Sequence, residues 1–270
     1  MYTRITSEDN RTVKLAKRLL TKKGRDRSGL YPIEGPKLLA EALDHDAEIP
    51  FAFFCDEVAD GFPRHGALAG RAAKAGVDVL LTTEKVFRRI ADTETPQGIL
   101  AAVRKPVRDA AAFFSRPGAI VPVLDRVQDP ANVGSLIRIA DAAGFGAVLA
   151  VAGTGDPYAP KAVRAAAGAL FRASVLFVRD ADAAVALLAA AGKRVAVADA
   201  RGAVSCYEAD LARDVAFIIG NEGGGPSRAF ADAASLTVRI PMPGGAESLN
   251  AAAAAAVLLF ESVRQGGALA

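Results

Sequence analysis

The stretch from Ile240 to Glu261, IPMPGGAESLNAAAAAAVLLFE, decides how the rest of the chain is read. Pro241 and Pro243 stiffen its opening, and Gly244-Gly245 lets it turn. Glu247, Ser248 and Asn250 stand where a helix begins, and alanines follow, then Val257, Leu258, Leu259 and Phe260. Oxygen-bearing side chains at a helix N-terminus accept from backbone N–H groups that lack a helical partner, and acids there suit the dipole. By itself the stretch describes a capped C-terminal helix. Two further stretches ask for more. Phe217 to Ser227, FIIGNEGGGPS, runs from an apolar strand into glycines around one acid, Glu222. Leu124 to Arg138, LDRVQDPANVGSLIR, is a strand, a turn and a helix carrying Asn132 and Arg138.

Between these stretches the second half of the chain alternates. Strands are predicted over 120–124, 147–151, 174–178, 194–199, 215–219 and 236–240. Helices are predicted over 132–143, 160–170, 181–191 and 226–234, before the terminal helix. Apolar strands joined by helical crossovers predict a mostly parallel sheet covered on both faces. Ligands of such sheets bind beyond the carboxyl ends of the strands, where Asp125, Ala200, Gly220 and Pro241 stand. Residues 106–118, with Pro106, Pro117 and the pair Phe113-Phe114, read as a linker. Ahead of it, residues 1–105 alternate too. Helices are predicted over 7–20, 36–43, 66–75 and 84–91, and strands over 30–34, 51–55, 77–81 and 98–103. The fold class is therefore α/β, with a smaller domain over 1–105 and a larger one over 119–270.

Composition narrows the function classes. The 270 residues are 51% hydrophobic and 23% charged, as in a soluble globular protein. No apolar run reaches the ~20 residues of a membrane-spanning helix, and no signal peptide opens the chain. Cys55 and Cys206 stand alone, with no metal spacing, and are expected as free thiols in a reducing cytoplasm. His45 and His65 lie in polar surroundings and are expected at the surface; no metal site is expected. The net charge of +3 says little about partners. Its distribution says more. Residues 1–28 hold nine basic side chains (Arg4, Arg11, Lys14, Lys17, Arg18, Lys22, Lys23, Arg25 and Arg27) against Glu8, Asp9 and Asp26. Residues 22–28 read as an exposed basic loop, and the whole arm as either a solvated face or a surface for phosphate.

On the helix after Pro130, Val133, Leu136, Ile137 and Ala140 make one apolar stripe. Counted from Asn132, Ser135 falls about 60° and Arg138 about 120° around the opposite side. A guanidinium there can grip a phosphate through two parallel hydrogen bonds. Alone, Asn132 reads as well as a helix cap and Arg138 as a solvated charge. The glycines of 220–225 let a backbone approach a ligand closely and turn its N–H groups inward. They also suit a tight strand-to-helix turn. The spacing fits neither a phosphate loop nor a dinucleotide fingerprint, which disfavours a nucleotide-dependent oxidoreductase.

Taken in order, DxxxDPxNxGxxxRxA, IIGNEGGG and IPMxGxxESLN resemble the three motifs of the SpoU/TrmH family of RNA ribose 2′-O-methyltransferases, within the SPOUT superfamily. The likeness covers about 120–265. GPKLLAEAL in the first domain resembles the substrate-binding domain of the ribosomal-RNA members, although Pro32 departs from their usual apolar strand. The resemblance implies a parallel sheet with a deep trefoil knot and S-adenosylmethionine as cofactor. It implies cofactor contacts at Gly220, Asn221, Ile240, Met242 and Leu249. It implies a homodimer, and an active site of Arg138, Asn132, Glu222, Ser248 and Asn250. In this reading Arg138 holds an RNA phosphate, and Glu222 orients Arg138 or the third motif. Ribosomal RNA is the expected substrate, because an added domain suits a structured RNA. Transfer RNA, or a non-catalytic RNA-binding or ribosome-assembly role on the same fold, are the alternatives.

Overall fold

The computed structural model describes residues 2–55, 64–107, 112, 114–221 and 223–267. Contacts divide it into two compact units: 1–107 with 156–171, and 108–155 with 172–270. Residues 156–171, which the sequence assigns to the second domain, thus belong with the first unit.

The first unit carries a five-stranded sheet in the order β1-β4-β3-β5-β2. The strands are β1 (Tyr2–Ile5), β2 (Leu30–Glu34), β3 (Phe51–Cys55), β4 (Asp78–Thr82) and β5 (Ile99–Arg104). Strand β5 runs antiparallel to both neighbours, and the other pairs are parallel. Pro32 is tolerated because β2 is an edge strand, where a missing N–H need not break a ladder. The helices are α1 (Arg11–Leu19), α2 (Lys22–Ser28), α3 (Pro36–Asp44), α4 (Arg64–Lys74) and α5 (Glu84–Phe87). Helix α1 buries Val13, Ala16 and Leu19 as its periodicity predicts. They join a core built around Phe53, Phe87 and Leu100.

Two expectations fail in this unit. Residues 22–28 are a helix, not an exposed loop. Thr21 caps α2 by accepting from the N–H of Gly24 at 3.2 Å, and Gly29 ends it at φ 68°. No apolar stripe marks this helix, because its buried face is filled by Arg25, only 3% exposed. Arg25 donates to the Leu19 carbonyl at 2.7 Å and to Asp156 Oδ2 from Nε at 3.0 Å and from the guanidinium end at 2.7 Å. The apolar body of the guanidinium stem and these bonds replace a hydrophobic anchor. His65 is also buried rather than exposed, and burial pushes its pKa below the ordinary histidine value.

The second unit carries a seven-stranded sheet in the order β10-β12-β9-β11-β6-β7-β8, parallel at every pairing. Its strands are β6 (Val121–Leu124), β7 (Ala147–Val151), β8 (Ser174–Val178), β9 (Arg194–Ala198), β10 (Val204–Ser205), β11 (Val215–Ile219) and β12 (Leu236–Arg239). Its helices are α6 (Pro130–Ala142), α8 (Ala181–Ala190), α9 (Arg228–Ala233) and α10 (Ala251–Gln265). The helix between them in sequence, α7 (Pro160–Ala166), packs on β2 in the first unit. Every residue of β7 and β11 is buried, as two covered faces require. Phe114 is buried in this core, so the linker docks through it; Phe113 lies outside the described residues. Cys55 and Cys206 are both buried, and neither is in a disulfide. Among the described residues no helix is long and apolar enough to cross a membrane.

Candidate active site at the carboxyl ends of β9, β11 and β12

The predicted residues gather around three structures. The first is a cavity of about 150 Å³ at the ends of β9 and β12. Ala198, Asp199 and Ala200 line it from β9 and its turn. Val238, Ile240 and Met242 line it from β12, and Glu247, Ser248, Leu249 and Ala254 from the entry to α10. Ile240, Met242, Ser248 and Leu249 were expected at the site. Asp199, Ala200 and Val238 were not named from sequence, although Ala200 was placed at a strand end. The walls are mostly apolar, with Glu247 and the Ser248 hydroxyl at the mouth. That combination suits a flat heterocycle with polar substituents.

The second structure is the head of two packed helices. Helix α6 is capped by Asp129, whose side chain accepts from the N–H of Ala131 at 3.1 Å. Asn132 is therefore not the cap of α6. Asn250 caps α10, accepting from the N–H groups of Ala252 at 2.9 Å and Ala253 at 3.4 Å. Its Nδ2 donates to Asn132 Oδ1 at 3.0 Å. Two predicted residues 118 positions apart thus join α6 to α10 directly. Arg138 stands exposed on α6, about 9 Å along the axis from Asn132. No carboxylate among the described residues pairs with it.

The third structure is the glycine loop, and it corrects the sequence reading. Its N–H groups are turned onto Asn221 rather than presented to a ligand. Asn221 Oδ1 accepts from Gly223 at 3.0 Å and Gly224 at 2.9 Å, and its backbone pairs with Gly225 in both directions. Asn221 Nδ2 donates to the carbonyl of Arg126 at 3.0 Å. The Asn221 side chain is therefore engaged in holding the loop, and neither Gly220 nor Asn221 lines the cavity. Gly220 has a different duty. A Cβ there would lie 2.5 Å from Pro226 N and 2.6 Å from Gly225 C, so no side chain fits. Glu222 lies outside the described residues.

Asp125 anchors the strand end beside the glycine loop; sequence reading gave it a place at a strand end and at the head of the first motif, but no partner. It is fully buried, pairs with Arg126 Nε at 3.1 Å and accepts from the N–H of Ser227. Arg126 takes a left-handed backbone, φ 59°, which suits its carbonyl to Asn221. A buried carboxylate must find partners. An aspartate directly after four buried strand residues is the signal that could have found it.

This geometry defines a class: a parallel α/β domain with an apolar cleft past its strand ends, a polar pair of helix heads and an exposed arginine. Comparison makes the class specific. The model of the SpoU rRNA Methylase family matches residues 119–260, and the chain belongs to this family. The MRM3-like substrate binding domain matches residues 10–101. The chain is 34% identical to the 23S rRNA (guanosine(2553)-2′-O)-methyltransferase RlmP of Bacillus subtilis, covering 95% of this chain and 97% of that one. It is 29% identical to the 23S rRNA (uridine(2479)-2′-O)-methyltransferase of Streptomyces viridochromogenes, covering 97% and 92%. An AdoMet-bound rRNA methyltransferase from Sinorhizobium meliloti superposes with a TM-score of 0.85 at 31% identity, covering 97% of this chain and 98% of that one.

Proposed function

We propose that this protein transfers a methyl group to a ribose 2′-hydroxyl of ribosomal RNA, with S-adenosylmethionine as donor. The observation that carries the reading is the Asn250–Asn132 bond, which brings the first and third motifs to one place beside the cavity. Ile240, Met242 and Leu249 would hold the cofactor against their apolar walls, with Ser248 and Glu247 meeting its polar groups. When bound, it supplies a methyl group on a cationic sulfur. Everything else is asked of the chain. A hydroxyl is a weak nucleophile until its proton is drawn away. An arginine stays protonated and cannot take that proton. Arg138 instead grips the RNA phosphate beside the target ribose, and the phosphate or a water shares the proton. Asn132 and Asn250 hold the ribose in line, and alignment supplies much of the acceleration. Glu222 orients Arg138 in this reading.

Several finer points belong to the same proposal. The family's knot would be tied where residues 241–250 pass the turn after β9, since both line one cavity. A homodimer fits Phe260, which is 44% exposed on α10. Ribosomal rather than transfer RNA is favoured by the substrate-binding match and by the names of the relatives. Arg138→Ala tests the chemistry. It should bind cofactor as the wild type does, measured by calorimetry, and lose methyl transfer by about a hundredfold or more. Near-normal turnover would remove Arg138 from the mechanism. Mapping 2′-O-methyl groups in a deletion strain identifies the target. A missing methyl in large-subunit RNA supports the proposal, and one missing from transfer RNA selects the alternative.

A further inference from the structure

We infer that α1, together with α5 and the turn after it, forms the phosphate-docking face of the first unit. The inference rests on the RNA reading above. The basic arm of residues 1–28 is not one surface. Arg25 is removed from it by burial, and Lys22 closes on Asp26 at 2.6 Å. What remains on α1 is a stripe. Arg11, Lys14 and Arg18 lie within about 60° of each other around the helix and span about 10 Å along it. All three are exposed, and with Asn10, Thr12 and Leu15 they line one open groove.

Helix α5 extends this stripe, which sequence reading did not foresee. Glu8, just before the cap of α1, meets Arg89 Nε at 3.1 Å and Lys85 Nζ at 3.8 Å. One carboxylate therefore draws the cations of α5 and its following turn up to the first turn of α1. Elsewhere in the unit arginines close on acids: Arg71 on Asp44, Arg104 on Glu48 and Arg164 on Asp92. On α1 itself Lys14 closes on the exposed Asp9 at 2.8 Å, and only Arg11 and Arg18 close on no carboxylate among the described residues. Charges left open on one face, where they repel one another, suit a polyanion that replaces the missing counter-charges. The open groove on this face is lined mainly by cations and short polar groups, which suits reading of backbone and shape rather than of base edges.

The test is the full-length triple variant Arg11→Gln, Lys14→Gln, Arg18→Gln. Its control is Lys37→Gln, Arg71→Gln, Lys74→Gln on α3 and α4, which changes the net charge equally. The probe is ribosomal RNA from a strain lacking the protein, read by anisotropy without cofactor and by transfer of labelled methyl groups. At 0.1 M salt the α1 variant should bind about a hundredfold more weakly, with a salt slope less negative by about two to three. Its KM for RNA should rise alike while kcat stays within about twofold, and the control should match the wild type within about threefold. Equal losses in the two variants, or an unchanged salt slope, would overturn the assignment. Wild-type binding through this face without any methyl transfer would sink the functional reading and leave the face standing. Absence of wild-type binding would sink both.

Discussion

Replacing Asn250 by alanine removes three hydrogen bonds at the centre of the site. Two are the cap of α10, to the N–H groups of Ala252 and Ala253 at 2.9 and 3.4 Å. The third is the bond to Asn132 at 3.0 Å. Loss of a cap costs about 1 kcal/mol, and loss of a neutral exposed hydrogen bond about 0.5–1 kcal/mol. The expected sum is about 1.5–2 kcal/mol, or a Tm lowered by about 4–7 °C. Asn250→Asp separates the two duties. It keeps the capping acceptor, gains from the helix dipole, and lets Asn132 turn its amide to donate instead. Its stability should stay within about 0.5 kcal/mol of wild type. A double-mutant cycle with Asn132→Ala should return a coupling of about 0.5–1 kcal/mol. Urea unfolding followed by circular dichroism measures the four proteins of the cycle and Asn250→Asp. A coupling indistinguishable from zero, or Asn250→Asp as unstable as Asn250→Ala, would show that this bridge does not hold the two helix heads together.

Gly220→Ala forces a Cβ onto backbone atoms 2.5 and 2.6 Å away, and the loop must move. It should cost about 2–3 kcal/mol, seen as a lower unfolding midpoint. Arg25→Met strands Asp156, whose side chain is 11% exposed, and should cost about 3–5 kcal/mol. Adding Asp156→Asn, which still accepts from the N–H of Tyr158, should recover at least half of the loss; no recovery would refute the pair as the cause. Asp214 accepts from the buried Lys193 ammonium at 2.7 Å and from Gly118 N–H at 2.8 Å. The hydrogen bond from Lys193 is the main reason its pKa lies below the ordinary aspartate value. A carboxylate with a depressed folded pKa stabilises fully above its unfolded pKa of about 3.9 and loses that contribution as pH falls through the folded value. The Tm gap between wild type and Asp214→Asn should therefore be constant from about pH 7 to 5 and close below about pH 4. Asparagine tolerates the left-handed φ of 55° there, so backbone strain does not contribute and a gap that ignores pH would refute the carboxylate charge as its cause.

Most of the sheet strands are written plainly in the sequence. Phe51–Cys55, Ala147–Val151 and Val215–Ile219 are apolar throughout, because both faces of each strand are covered. The same local logic found the buried stripe of α6 and the glycine at 220. Short or exposed elements escaped it. Tyr2–Ile5 shows three exposed residues at a sheet edge, and Val204–Ser205 is too short to carry a period. Helix α2 escaped because its anchor is an arginine whose partner, Asp156, comes 131 residues later.

The site divides in the same way. Residue types and their order announced an arginine, two asparagines and a glycine turn, since each chemical duty belongs to a side chain. One further matter depended on the distance between remote parts of the chain: that Asn132 meets Asn250. A local pattern can propose a cap or a turn, because both are made within a few residues. It cannot choose among partners more than a hundred positions apart, because that choice is made when the sheet assembles and brings its carboxyl ends together.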